Sequence, residues 1–476
     1  MTLIARLKAI PYLPLLAGLM LLRLIAAGCA GLVPDETYYW LWAQHPAFGY
    51  YDHPPMVAWW IGAFTWLSDA ALLVRLPFLL SFAVLGWLVY DTGKTLFSAT
   101  VARRALLWLN ACLLLSVGAV IATPDPPSVL MWACGLWALA RLQASGKGQW
   151  WLVFGLFAGL GVEAKYTNFF LGLGVLLWVL LDKPARKWLL TPWPWLGGLI
   201  ALAAMAPNLL WNAHHGWISF AKQFGRIEGS HLTAQYLPEF VISQLVLINP
   251  LIFIFVVSGV MAWWKARGDS RLTLLIALPL PLLAYMLLHV FHDRIQGNWP
   301  APVYPGLILL AAVAAEGGKP GRAREWAAPL GIGLSMLALV LMALSPALPQ
   351  QSGTAALGLG WDTLTRHIRA KQVETGAGWI ATTDYNSQGE LSYHGQSLLD
   401  GGIVPVSERE RYNWPAFEGE RSRALIVVNA SHAPDLAKCF TDLREAGTVS
   451  RLQKPGRKSD FRLYTGLLKS TGCAVD

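Results

Sequence analysis

The chain has 476 residues, of which 55% are hydrophobic and only 14% charged, well below the roughly 25% charged of a soluble globular chain. That balance excludes an ordinary water-soluble enzyme and points to a polytopic membrane protein. The net charge of +9 does not call for a nucleic acid, because Lys and Arg gather in short segments between apolar runs and in the tail.

The first apolar run extends from Ile10 to Ala30 and is interrupted only by Arg23. It is long for a signal-peptide core and reads as a retained first span. Further runs recur at about 71–91, 104–122, 127–143, 150–163, 168–182 and 191–211, then at about 243–264, 272–291, 301–316 and 326–346. The expectation is about eleven transmembrane helices, several of them shorter than the ~20 residues a span normally needs. Many of the 24 Trp lie near the ends of these runs, among them Trp59, Trp60, Trp150, Trp151, Trp263 and Trp264, where amphipathic rings favour the interface.

Alternate loops test the count. With the N-terminus cytoplasmic, one face collects sixteen basic residues from Arg6 to Arg324, and the other holds five: Arg75, Lys165, Lys222, Arg226 and Arg294. The basic-rich face is the cytoplasmic one, and an odd number of spans puts the tail outside. The basic-poor loops are also the ones with unusual polar chemistry. They carry DETYYW (35–40), YYDHPP (50–55), TPDPP (123–127), EAKYTN (163–168), WNAHHGW (211–217) and FHDRIQGNWPAP (291–302).

The stretch 31–60 is the densest of these. Lipid could not hold Asp35, Glu36, Asp52, His53 and the Pro54-Pro55 pair, so it lies at a membrane face as the lip of an active site. Asp35 precedes a helix-compatible aromatic stretch. It is either an N-cap or a carboxylate placed to take a proton from a nucleophilic hydroxyl, and Glu36, about 100° around the helix, need not share its task. Asp52 and His53 are shaped by the two prolines; they read as loop structure, as phosphate contacts, or as part of a metal site with His214 and His215, to which His231 and His292 could add. Asp125 sits in a proline turn, where even partial burial of an acid at a span end is costly. Lys165 either snorkels or holds phosphate, and Arg294 and Trp299 suit phosphate recognition and sugar stacking unless Arg294 simply pairs with Asp293.

From about residue 350 the composition turns polar. GWIATTDY (378–385), ALIVVNA (424–430) and FRLYTGLL (461–468) read as strands, and 430–447 as containing a helix, giving a small α/β domain. The division is therefore a membrane domain over 1–348 and a soluble one over 349–476. Cys29, Cys112 and Cys134 fall in apolar runs; Cys439 and Cys473 pair only if the tail faces an oxidising compartment and their geometry allows it.

The ordered motifs DETYYWLW with YYDHPP, TPD, KYT, WNA with GW and SF, and GNWPAP resemble the GT-C type polyprenyl-phosphate-sugar-dependent membrane glycosyltransferases, particularly the bacterial family 39/83 branch. That branch includes protein O-mannosyltransferases and lipid A aminoarabinose and galacturonic acid transferases. TTDYNSQGELSYHG (382–395) and RYNWP (411–415) look like its outer domain.

The resemblance implies a GT-C fold and transfer of a sugar from undecaprenyl phosphate or a similar lipid, with inversion, outside the bacterial inner membrane. Lipid A or lipopolysaccharide is the implied acceptor, with a protein acceptor as the alternative. It makes Asp35 the general base and Asp125 an acceptor-side carboxylate, with Glu36 and Asp52 of second rank. Lys165, Arg294 and His53 become donor-phosphate contacts, and Tyr38, Tyr166 and Trp299 substrate-binding aromatics. Aminoarabinose transferases tend to have Glu-Lys where Asp52 and His53 stand, so the phosphate contact passes to other cations or the donor differs. A transporter or lipid-sugar flippase would instead place charge inside the spans. A scaffold would act through its tail alone.

Overall fold

A computed structural model describes residues 12–225, 232–265, 268–318, 321–347, 358–396, 398–407, 409, 422–431, 434–454, 457–469 and 473–475. His231, Arg226 and the RYNWP stretch lie outside them. The chain divides into two compact units. One comprises Met1–Ile25, Asp52–Val57 and Leu76–Val340; the other comprises Ala26–Tyr51, Ala58–Arg75 and Leu341–Asp476. Asp35 and Glu36 of the first loop thus belong to the unit that holds the polar tail, and Asp52 and His53 to the other.

Each of the eleven apolar runs is mainly helical where described. Among the described residues, four helices are long and apolar enough to cross a membrane: Ala71–Leu96, Trp193–His214, Ser270–His289 and Arg322–Ala343. The number is seven if each bent helix pair makes one span, and Met56–Thr65, Trp150–Ala164 and Ala301–Gly317 are shorter apolar helices. The protein is multi-pass. Some of its runs are broken rather than straight: Leu237–Ile248 and Pro250–Lys265 meet at 102°. The corner is Asn249, at φ 91°, whose amide donates to the Ala327 carbonyl at 2.8 Å and accepts from the Leu251 N–H at 3.0 Å.

Small residues bring helices of the first unit together. A Cβ on Gly155 would stand 2.0 Å from the Gly197 carbonyl oxygen, so Trp150–Ala164 and Trp193–His214 pack backbone to backbone. Arg23, the charge within the first apolar run, is buried; it donates to the Ser116 carbonyl at 2.9 Å, the Ser116 Oγ at 2.6 Å and the Asn110 Oδ1 at 3.1 Å. A cation surrounded by apolar side chains is tolerated because those acceptors replace its water.

The second unit contains, among its described residues, a five-stranded sheet in the order β2-β1-β3-β5-β4. The strands are β1 (Trp379–Thr382), β2 (Ile403–Pro405), β3 (Ala424–Asn429), β4 (Phe440–Lys454) and β5 (Arg457–Leu468). β1 pairs in parallel with β2 and β3, and β5 runs antiparallel to β3 and β4. Period-two alternation divides the core. Ile380, Leu425, Val427 and Leu463 bury against helix Trp361–Thr375 and Leu391, whereas Trp379, Ala381, Ile426 and Val428 bury with Phe440 on the other face.

Among the described residues of 430–447 the expected α-helix is not found. Only a 3-10 turn, Leu436–Lys438, precedes β4, because residues from Phe440 onward find ladder partners on β5 and that pairing overrides the local helical spacing. Helix Tyr385–Gly395 was not expected from the pattern. Cys439 and Cys473 form a disulfide, with their Cα atoms 5.5 Å apart.

Candidate active site

The acidic pair of the first loop is divided by the start of a helix. Pro34 occupies the first position of helix Pro34–Gln44 and Val33 is its N-cap, so Asp35 is not the cap that its sequence position suggested. Glu36 does the capping instead, accepting from the Val33 N–H at 3.0 Å. Its two oxygens also receive Arg75 at 2.7 and 2.5 Å. Arg75 spends its remaining donors on the carbonyls of Ala27, Ala30 and Gly31 at 2.9, 2.7 and 2.8 Å. Both side chains are fully buried. The pair therefore locks the end of helix Leu13–Cys29 to the start of the next, and no face of Glu36 is open to a substrate.

Asp35 is exposed on the first turn, where the helix dipole favours a carboxylate. The Tyr385 hydroxyl lies 3.4 Å from its Oδ1. Tyr385 opens helix Tyr385–Gly395, capped by the Asp384 carboxylate on the Ser387 N–H at 2.9 Å. That helix lies directly on Pro34–Gln44: a Cβ on Gly389 would stand 2.8 Å from the Tyr38 nitrogen. Tyr38 is buried, with its ring 5.0 Å from that of Tyr385, and the Arg409 guanidinium sits 3.8 Å above the Tyr385 ring. Tyr393 donates to the Asp69 carbonyl at 2.7 Å, and Trp40 donates to the Asp69 carboxylate at 2.7 Å. An open acid beside aromatic rings and a cation is equipped to hold a polyol and take a proton from it. Arg409 and Tyr385 were not foreseen as site residues, although Tyr385 lies within the TTDYNSQGELSYHG stretch.

In the first unit, Asp125 begins helix Asp125–Ser145. Lys165 donates to its Oδ1 at 2.5 Å and Asn298 to its Oδ2 at 2.7 Å. Three separate loop motifs thus converge on one carboxylate. Asp125 and Asn298 also line a mostly apolar cavity of about 190 Å³ whose walls include Phe82, Leu85, Leu115 and Val129.

The other expected residues are placed as follows. Asp52 is buried, and its carbonyl accepts from Gln223 at 2.6 Å; His53 is half-buried beside it in the chain. The Tyr166 hydroxyl is enclosed, donating to the Asn208 Oδ1 at 3.0 Å and accepting from Asn212 at 3.2 Å. Trp299 is half-buried with its edge toward the His289 ring at 5.6 Å. Arg294 is exposed; its guanidinium holds Glu239 at 2.5 to 3.1 Å, while its backbone N–H donates to Asp293. His214 is exposed, and the His215 ring stacks on Trp211 at 4.0 Å. Among the described residues no group of three or more His, Cys, Asp or Glu side chains is gathered as metal ligands, so Asp52, His53, His214 and His215 do not form one set.

Comparisons with known proteins agree with this picture. The protein-family model described as dolichyl-phosphate-mannose-protein mannosyltransferase matches residues 52–211. The lipid A galacturonosyltransferase RgtD of Rhizobium johnstonii is 26% identical over 385 residues, covering 75% of this chain and 76% of its own. The crystal structure of ArnT from Cupriavidus metallidurans bound to undecaprenyl phosphate superposes with a TM-score of 0.63 at 14% identity, covering 94% of this chain and 97% of that one. Its apo state gives 0.61, again over 94% of this chain. The chain is thus similar to GT-C type membrane glycosyltransferases, in sequence over three quarters of its length and in fold over nearly all of it.

Proposed function

We propose that the chain transfers a sugar from a polyprenyl-phosphate donor to lipid A or lipopolysaccharide, with Asp35 as the general base. The observation that carries this reading is the division of labour between neighbouring acids: Glu36 is consumed by Arg75, whereas Asp35 is exposed beside Tyr385. In the reaction, Asp35 accepts the proton of an acceptor hydroxyl. The freed oxygen forms a bond to the anomeric carbon from the face opposite the phosphate, and the carbon–oxygen bond to phosphate breaks with its electrons leaving on the lipid phosphate. Configuration inverts. Such a leaving group needs cations nearby. Lys165, Arg294, His53 and now Arg409 are the candidates, and Asp125 with Asn298 orients a hydroxyl. The likeness to ArnT solved with undecaprenyl phosphate supports the donor class, and the likeness to a lipid A galacturonosyltransferase supports the acceptor.

The reading places the protein in a bacterial inner membrane, N-terminus cytoplasmic and tail periplasmic. The asymmetry of basic residues and the Cys439–Cys473 disulfide favour that orientation. A protein acceptor is the second reading, favoured by the description of the family model that matches residues 52–211. Mass spectra of lipid A and core oligosaccharide from cells lacking the protein, resupplied with wild type or Asp35→Asn, separate the two. A species heavier by one sugar residue that returns with wild type alone supports both acceptor and base. Its return with Asp35→Asn removes Asp35 as the base; its absence from every strain redirects the search to glycoproteins.

A further inference from the structure

A second cleft in the first unit has no part in the chemistry above. It is open, about 910 Å³ in volume, and lies where the start of helix Ala99–Ala111 meets the start of Arg322–Ala343. Three guanidiniums line it: Arg103, Arg104 and Arg324. All three belong to the basic-rich set of segments, opposite in the alternation to those that carry Asp35 and Asp125.

The charge arrangement is unbalanced. A single buried-edge carboxylate, Glu316, serves two of the three cations: Arg104 pairs with one of its oxygens, and Arg324 donates to the other at 3.1 Å. Arg324 also donates to the Ala315 carbonyl at 3.1 Å, so its position is fixed. Arg104 lies 5.6 Å from the Trp108 ring. Arg103 is exposed and has no hydrogen-bond or ion-pair partner among the described residues. Among the described residues of the lining Glu325 is the only other acid, so these count three cations against two anions. The remaining walls are apolar, including Leu15, Leu107 and Ile332, and nearby Trp326 and Leu330 are strongly exposed, as side chains that face lipid are.

We infer that this cleft binds the phosphodiester head group of an anionic phospholipid, with Arg103 as the principal contact. A free phosphate would need only the cations. A phospholipid also fills the apolar walls, and basic pockets between membrane helices are suited to such head groups. Arg103 supplies a guanidinium not already committed to a carboxylate, and Arg104 and Arg324, held in place through Glu316, set the positive field around it. The site is separate from sugar transfer and does not depend on the acceptor's identity.

The test is native mass spectrometry of the full-length protein, delipidated in detergent and titrated with phosphatidylglycerol, phosphatidylcholine or inorganic phosphate. The expected result is retention of one phosphatidylglycerol at about tenfold lower concentration than phosphatidylcholine, a preference lost in Arg103→Gln and kept in Lys147→Gln, an exposed basic residue outside the cleft. Arg103 is exposed, so its substitution leaves folding intact, which an unchanged thermal midpoint in detergent verifies. Equal retention of the two lipids overturns the proposal, as does an Arg103→Gln protein with the wild-type preference. An equal loss in Lys147→Gln reassigns the effect to general surface charge. Displacement of the lipid by millimolar inorganic phosphate makes the site one for free phosphate.

Discussion

Adjacent acids in the first loop take opposite roles because their side chains leave the helix in different directions. Glu36 turns inward to Arg75, and the pair is fully buried. Removing one partner of a buried ion pair strands the other charge, at a cost of about 3–5 kcal/mol. Arg75→Met should therefore lower the thermal midpoint strongly, and adding Glu36→Gln should restore part of it. A midpoint unchanged in Arg75→Met would show that the pair does not hold the helix start. Asp35→Asn, by contrast, alters an exposed side chain and should abolish transfer at near-wild-type stability; the two substitutions together distinguish a structural acid from a catalytic one by measurement of melting and turnover.

Helix Tyr385–Gly395 carries its own titrating group. Glu390 is completely buried, and desolvation pushes its carboxyl up to about 7, although His394 and Arg451 work against the shift and Glu36 adds to it. His394 stands 3.3 Å from Glu390, within ion-pair range though neither Glu390 oxygen accepts a well-formed hydrogen bond, and 2.7 Å from Asp362. Burial opposes its charge, yet those two acids outweigh it and hold its pKa above the usual value. Both groups are raised on folding. The stability they add is complete below their unfolded values, 4.5 for Glu390 and 6.5 for His394, and is lost as pH rises through the folded ones. The protein should melt at a lower temperature at pH 8 than at pH 6, and Glu390→Gln should flatten that dependence. The same slope in the variant would assign it to other groups. Because this helix also supplies Tyr385 next to Asp35, loosening it should reduce transfer at high pH as well.

At the scale of the whole molecule, orientation follows from where charge resists crossing the bilayer. A phosphatase fused after the last residue should be active and a fluorescent protein at the same point dark, with the reverse pattern for fusions after Lys147. Activity of both reporters in the opposite sense would invert the proposed topology. The sequence by itself determined the multi-pass character and the positions of the apolar helical runs, because each depends on apolar length within a few residues. It also marked Asp35, Asp125 and Lys165 as polar groups at span ends. It did not determine their partners. Asp125 and Asn298 are 173 positions apart, Arg75 and Glu36 are 39 apart, and Tyr385 and Asp35 are 350 apart. Which distant donor fills a given lone pair is chosen by packing, so only the tertiary structure decided that Glu36 is sealed and Asp35 open. The same reason governs β4, whose residues have helical spacing locally and become a strand because β5 lies beside them.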